Sequence, residues 1–186
     1  STHGRVALFI DGTNFYHTIR DLDMHVDYRR LLEHFTAGDS LVRAIYYTTL
    51  LEDGKAPDWL TRLLEWLSYN GYHVVTKPAK HVRRRIVGED GESYWVEEVK
   101  GDLDVEMTVD IFGLTPYCDT IFLFSGDGSF VYLIKAVQRR GCRVVVVSSE
   151  KTKESSVADE MRRQADEFID LVTIADEIRW LDDGSD

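Results

Sequence analysis

A mainly parallel β-sheet with helices on both faces is the architecture this sequence predicts, and three observations carry it. Short apolar runs at residues 6–10, 120–124 and 142–147 alternate with amphipathic segments of helix length, the rhythm of βαβ units. Two of those runs stop at a carboxylate beside glycine, Asp11-Gly12 and Gly126-Asp127-Gly128. Buried strands of a parallel sheet end this way where a polar site collects at their carboxyl ends. Glycine stops at Gly38, Asn70-Gly71 and Gly141 fall where a helix must end before the next strand begins.

Taken in order, residues 6–10 form the first strand and 14–21 a short helix. In the segment 28–35, Tyr28, Leu31, Leu32 and Phe35 have the i, i+3, i+4, i+7 spacing of one helix face. Residues 40–50, rich in Val, Ile, Tyr and Thr, make the second strand. Asp58 is placed to cap a helix whose buried stripe is Trp59, Leu60, Leu63, Leu64 and Leu67, and residues 72–76 follow as the third strand. The rhythm breaks at 78–99, where β-prone segments 81–87 and 93–99 flank Gly88-Glu89-Asp90-Gly91-Glu92, the pattern of an inserted β-hairpin. A helix opens at 100–104 and runs to about residue 112, before the strand 120–124. Residues 129–138 read as helix, 142–147 as the strongest strand, 155–165 as helix and 167–172 as a last strand, with 182–186 an acidic frayed end. With no repeat and no linker, residues 1–186 read as one domain carrying the hairpin as an insertion, and residues 1–4 stand outside the argument.

The net charge of −11 excludes a protein that coats nucleic acid with its whole surface, but it leaves room for a local basic patch. The hairpin supplies one: Lys77, Lys80, His81, Arg83, Arg84 and Arg85 on it or at its root, with Tyr94 and Trp95 on the returning strand. Cations beside aromatic faces hold phosphates and stack bases, whereas the plainer reading is an edge strand blunted by charge. Cys118 and Cys142 lack metal-ligand spacing and read as reduced core thiols of a cytoplasmic protein. The run 6–10 is too short for a signal segment or a membrane span, so no membrane association is expected.

The chemistry lies with the acids. A crossover helix begins at the edge where strands finish, so Asp104 should arrive beside Asp11 and Asp127. Three carboxylates without cations repel one another, and a hard divalent ion, Mg²⁺ or Mn²⁺, offsets that repulsion through oxygen-only ligands. Such an ion can activate water against a phosphate. The competing reading is that Asp11 and Asp127 merely cap the helices that follow. Asn14, one turn past Asp11, is placed to orient a bound water or a phosphate, or is an ordinary helix-start residue. Asp110 lies roughly 9 Å beyond Asp104 and about 120° around the helix, so it is a supporting residue only. Asp102 is either a cap or a ligand in place of Asp104, and Lys100 a phosphate contact or a neutraliser of the acids. Neither GxGxxG nor GxxxxGK[ST] is present, which removes the common nucleotide-binding loops.

Several motifs carry a family resemblance: Ile10-Asp11-Gly12-Thr13-Asn14, Lys100 with Asp104 and Asp110, Ser125-Gly126-Asp127-Gly128-Ser129-Phe130, Gly141 before a valine run, and Ala165-Asp166-Glu167-Phe168-Ile169. Together they resemble the NYN branch of the PIN-like nucleases, the bacterial DUF88 (LabA-like) group. The resemblance implies a three-layer PIN-like fold and a Mg²⁺- or Mn²⁺-dependent ribonuclease whose matching acids are Asp11, Asp104 and Asp127, with Asn14 and Ser125 beside them. Where many members carry a second aspartate in the loop, this chain has Ser129, one ligand fewer. The expectation is hydrolysis of RNA by metal-activated water, with Lys80, Arg83, Arg84, Arg85 and Lys100 contacting the nucleic acid and a homodimer allowed. The rival is a catalytically weak module that binds RNA or a protein partner through the same cleft.

Overall fold

The computed structural model describes residues 3–153 and 156–182. Among the described residues, eight strands and seven helices follow one another as β1 (Arg5–Asp11), α1 (Gly12–Asp21), α2 (Tyr28–Thr36), β2 (Ser40–Leu50), α3 (Asp58–Tyr69), β3 (His73–Pro78), β4 (Lys80–Val87), β5 (Ser93–Lys100), α4 (Asp104–Leu114), β6 (Thr120–Phe124), α5 (Val131–Gln138), β7 (Arg143–Ser148), α6 (Asp159–Gln164), β8 (Glu167–Asp170) and α7 (Ala175–Ile178). Six strands form one sheet in the order β3-β2-β1-β6-β7-β8, every neighbouring pair parallel. The remaining two, β4 and β5, form a separate antiparallel hairpin.

Side-chain alternation explains why the central runs are apolar throughout. In β1, Ala7 and Phe9 face the core under α4, α5 and α6, while Val6, Leu8 and Ile10 face the core under α1, α2, α3 and α7. All five positions of β6 are buried, and Phe122 and Phe124 reach Phe35 edge-on at 5.3 and 4.9 Å. The fold is therefore three-layered, with helices packed on both faces of the parallel sheet.

The chain builds outward from β1 through β2 to β3, then restarts at β6 and builds the other way to β8. The order reverses between β1 and β6, and at such a switch point the two following connections part to leave a crevice at the carboxyl edge. Asp11 ends β1 on that edge, and Asp127 lies in the loop after β6.

Several sequence expectations are corrected. Asp58 does not cap α3: Pro57 occupies the capping position in extended conformation, and Asp58 is the first helical residue. Residues 128–130 make a 3₁₀ turn before α5 rather than its first turn. The last strand stops at Asp170, because the Asp170 carboxylate accepts the amide of Val172 at 3.1 Å and turns the chain into a 3₁₀ segment, Leu171–Ile174. The helix expected over 155–165 spans Asp159–Gln164, its expected start lying outside the described residues, as do residues 183–186 of the acidic end. Among the described residues no helix is long and apolar enough to cross a membrane.

Candidate active site

A cleft of about 410 Å³ opens at the switch point, and Asp11, Asn14, Asp102, Asp104 and Asp127 line it together with Thr13, His17, Thr49, Val99, Gly101 and Leu103. Its acids come from three places in the chain: the end of β1, the entry to α4 and the turn after β6. Gly12 is needed beneath it, since a Cβ there would come 2.6 Å from the Tyr46 ring.

A continuous set of hydrogen bonds fixes the acids. Asp11 caps α1 by accepting the Asn14 amide at 3.3 Å, and its other oxygen accepts the Ser125 hydroxyl at 3.0 Å. Ser125, buried, accepts the Asp127 amide at 3.2 Å. The Asn14 side-chain oxygen accepts the Gly126 amide at 3.1 Å, so α1 and the β6 loop are stitched together. Asp127 accepts the Ser129 amide at 3.0 Å, and the Ser129 hydroxyl donates to Asp104 at 3.0 Å. Asp102 accepts the Asp104 amide at 3.2 Å. Asp11 and Asp127 thus do cap the segments that follow, as the plainer sequence reading held, and they face the cleft at the same time.

The electrostatics follow from this crowding. Burial pushes the Asp11 carboxyl up to about 6; the bonds from Asn14 and Ser125 work against burial, while the charges of Asp104 and Asp127 add to it. Asp104 is raised as well, by burial first and then by Asp102, Asp127 and Glu106, against the Ser129 bond. No Lys or Arg is among the described residues lining the cleft. Such an arrangement disfavours phosphate unless a cation intervenes, and its oxygen-only donors suit a hard divalent ion. As the side chains stand, no group of three or more His, Cys, Asp or Glu among the described residues is arranged to hold an ion by itself. The acids share a cleft, and each is turned toward its own donor.

Other expected residues fall elsewhere. Asp110 accepts the Tyr47 hydroxyl at 2.7 Å and lines a separate groove with Arg43 and His73, away from the acids. Lys80 and Lys100 stand opposite each other at the foot of the hairpin, both exposed, and neither lines the cleft. On the hairpin, register puts Arg83 and Arg85 on one face with Trp95, and Arg84 on the other. Arg83 lies 5.4 Å above the Trp95 ring, Arg85 donates to Ser93 at 2.8 Å, and Arg84 is paired with Glu98 at 2.8 Å. His17 was missed by sequence reasoning, although it sits one turn beyond Asn14 and that spacing alone places both on one flank of α1.

Ser129 is a hydrogen-bonding bridge in this structure. Ser129→Ala should remove the Asp104 contact while keeping the backbone amide on Asp127, so the Asp104 carboxyl should titrate at higher pH than in the wild type. Carbon-detected NMR titration of the carboxyls checks this, and an unchanged Asp104 would show that the bridge has no weight.

A family model for the NYN domain matches residues 5–174. The low amplitude and bright protein LabA of Synechococcus elongatus is 32% identical over 169 residues, which cover 90% of this chain and 83% of that protein. Among solved structures, a protein of unknown function from Vibrio parahaemolyticus matches with a TM-score of 0.72 at 26% identity, covering 97% of this chain and 99% of that one. Domain model, relative and fold agree, and the chain belongs to the NYN domain family of PIN-like proteins.

Proposed function

We propose that this protein is a metal-dependent ribonuclease that hydrolyses RNA phosphodiester bonds at the cleft formed by Asp11, Asp104 and Asp127. NYN domains are nuclease-like, and PIN-like nucleases generally use divalent metals. The observation that carries the reading is that acids from three separated segments line one cleft whose wall, at Val99 and Gly101, is the root of the hairpin. Bound Mg²⁺ or Mn²⁺ would supply a Lewis acid and a water of lowered pKa. Asp11, Asp104 and Asp127 would hold the ion, Mg²⁺ keeping several of its own waters, which suits acids that share a cleft without forming a closed cage. Asn14 and Ser125 keep Asp11 and Asp127 in register, and His17 lines the same cleft.

RNA, being a polyanion, must reach an acidic cleft on an acidic protein by a basic path. The outward face of the hairpin, bearing His81, Arg83, Arg85, Val87, Ser93, Trp95, Glu97 and Val99, is exposed at every position, and Val99 carries it into the cleft. Replacing Arg83 and Arg85 together with Ala should weaken RNA binding and lower the salt slope by up to about two, while Arg84→Ala does less because Arg84 faces the other way and is paired with Glu98. Equal losses at all three positions would remove the hairpin as the path.

The second reading is a regulatory module that binds RNA or a protein partner with little turnover; it draws support from Ser129, which stands where many members of the family carry a second aspartate. Labelled single-stranded RNA incubated with Mn²⁺ separates the two. Cleavage that EDTA stops and Mn²⁺ restores supports the enzyme, and binding without cleavage supports the module.

A further inference from the structure

We propose that a second cavity, on the other flank of α1 from the acids, binds one nucleobase of the RNA strand and gives the enzyme a base preference; this rests on the ribonuclease reading above. The cavity measures about 360 Å³, within the range of small-molecule sites, and its aromatic walls come from Tyr16, Tyr46, Trp59 and Trp180, with Arg20 and His25 at its exposed rim. Tyr16 and Trp59 are already stacked, with centroids 4.9 Å apart and planes 19° from parallel. Trp59, expected from the sequence in the buried stripe of α3, is instead 43% exposed, because its ring leaves the core to stack on Tyr16, and Trp180 is 62% exposed.

Three points favour a base over any other occupant. Neighbouring positions on α1 diverge by about 100°, so His17 joins the acidic cleft while Tyr16 joins the cavity. Tyr46 ties the cavity to the chain at the acids: its ring lines the cavity and lies against Gly12, the residue after Asp11. A strand whose phosphate sits at the acids therefore has this cavity close by. Finally, broad aromatic faces beside a guanidinium stack any base, and polar groups at the rim then discriminate among base edges. A helical peptide would lay a row of apolar anchors into an apolar groove, whereas here the exposed rim carries Arg20, Asp23 and His25.

The test is binding of fluorescein-labelled single-stranded RNA in Ca²⁺, an oxygen-seeking ion able to bridge the acids and a phosphate, with the RNA checked for integrity on a gel, followed by a scan with oligonucleotides lacking one base at a time. Wild-type protein should lose affinity about fivefold or more when one particular base is absent. The double variant Trp59→Ala with Trp180→Ala should bind intact RNA about as weakly and be indifferent to that missing base, with the salt slope unchanged because no phosphate contact is lost. Wild-type affinity that ignores every missing base, a double variant that binds as the wild type does, or no RNA binding at all would each overturn the proposal. Because the scan needs only the wild-type protein, it decides the matter even if the double variant fails to fold. The inference and the function fail separately: absent cleavage with an intact base effect sinks the ribonuclease, and intact cleavage without a base effect sinks the pocket.

Discussion

Asp127→Asn should abolish Mn²⁺-dependent RNA cleavage while leaving the melting temperature unchanged or higher. The amide keeps one oxygen to accept the Ser129 amide, so the turn after β6 survives, but it removes the negative charge that raises both Asp11 and Asp104. Relief of that repulsion favours the metal-free fold. The same charge is one of three proposed to hold the ion, and since loss of a mere outer-shell partner costs about 10–100-fold, loss of a direct ligand should cost at least about 100-fold in rate. Cleavage and thermal unfolding measured on one preparation check both halves. Undiminished cleavage by the variant would assign the activity to a contaminant or place the metal elsewhere.

The second large effect concerns pH. Asp11 has a folded-state pKa of about 6, against about 3.9 for an aspartate in an unfolded chain. Between those values the folded protein keeps a proton that the unfolded chain releases, so stability falls as pH rises through the window from about 4 to about 6. At about 1.4 kcal/mol per unit the loss attributable to Asp11 approaches about 3 kcal/mol by pH 7, an upper figure. Asp11→Asn, neutral throughout, escapes it. Its melting temperature should match the wild type near pH 4, where both groups are uncharged and similar in shape, and exceed it by several degrees at pH 7. Saturating Mn²⁺ should close that gap by stabilising the wild type alone, by about 2.7 kcal/mol at a hundredfold excess over Kd. A gap constant from pH 4 to 7 would show that Asp11 bears no such strain.

The readable part of this molecule is the part where local chemistry and tertiary context agree. β2 was legible to the residue because Gly38, at φ +77, can only end the preceding helix, and the β-branched and aromatic run that follows admits no other reading. The meeting of Asp11, Asp104 and Asp127 at one edge was legible because parallel sheets with right-handed crossovers leave few alternatives. The directions those carboxylates take were not, since they depend on hydroxyls and amides from distant segments: Ser125 on Asp11, Ser129 on Asp104. The end of the last strand was misjudged because Leu171 and Val172 look like strand residues, and only the Asp170 side chain turns them aside. The aromatic cavity was invisible in sequence, its walls being supplied from residues 16, 46, 59 and 180, which only folding brings together.

The hairpin leaves and rejoins the domain at nearly one point. The Ala79 amide donates to Leu50 at 2.9 Å, the Gly101 carbonyl accepts from Thr49, and a Cβ on Gly101 would lie only 3.0 Å from the Ala79 Cα. Both feet therefore stand on the end of β2, and the residues between them are uncoupled from the register of the six-stranded sheet. Excursions with adjoining ends tolerate changes of length and sequence far better than strands do. The socket therefore admits an arm of different length or charge while the six-stranded sheet that carries the acids keeps its register.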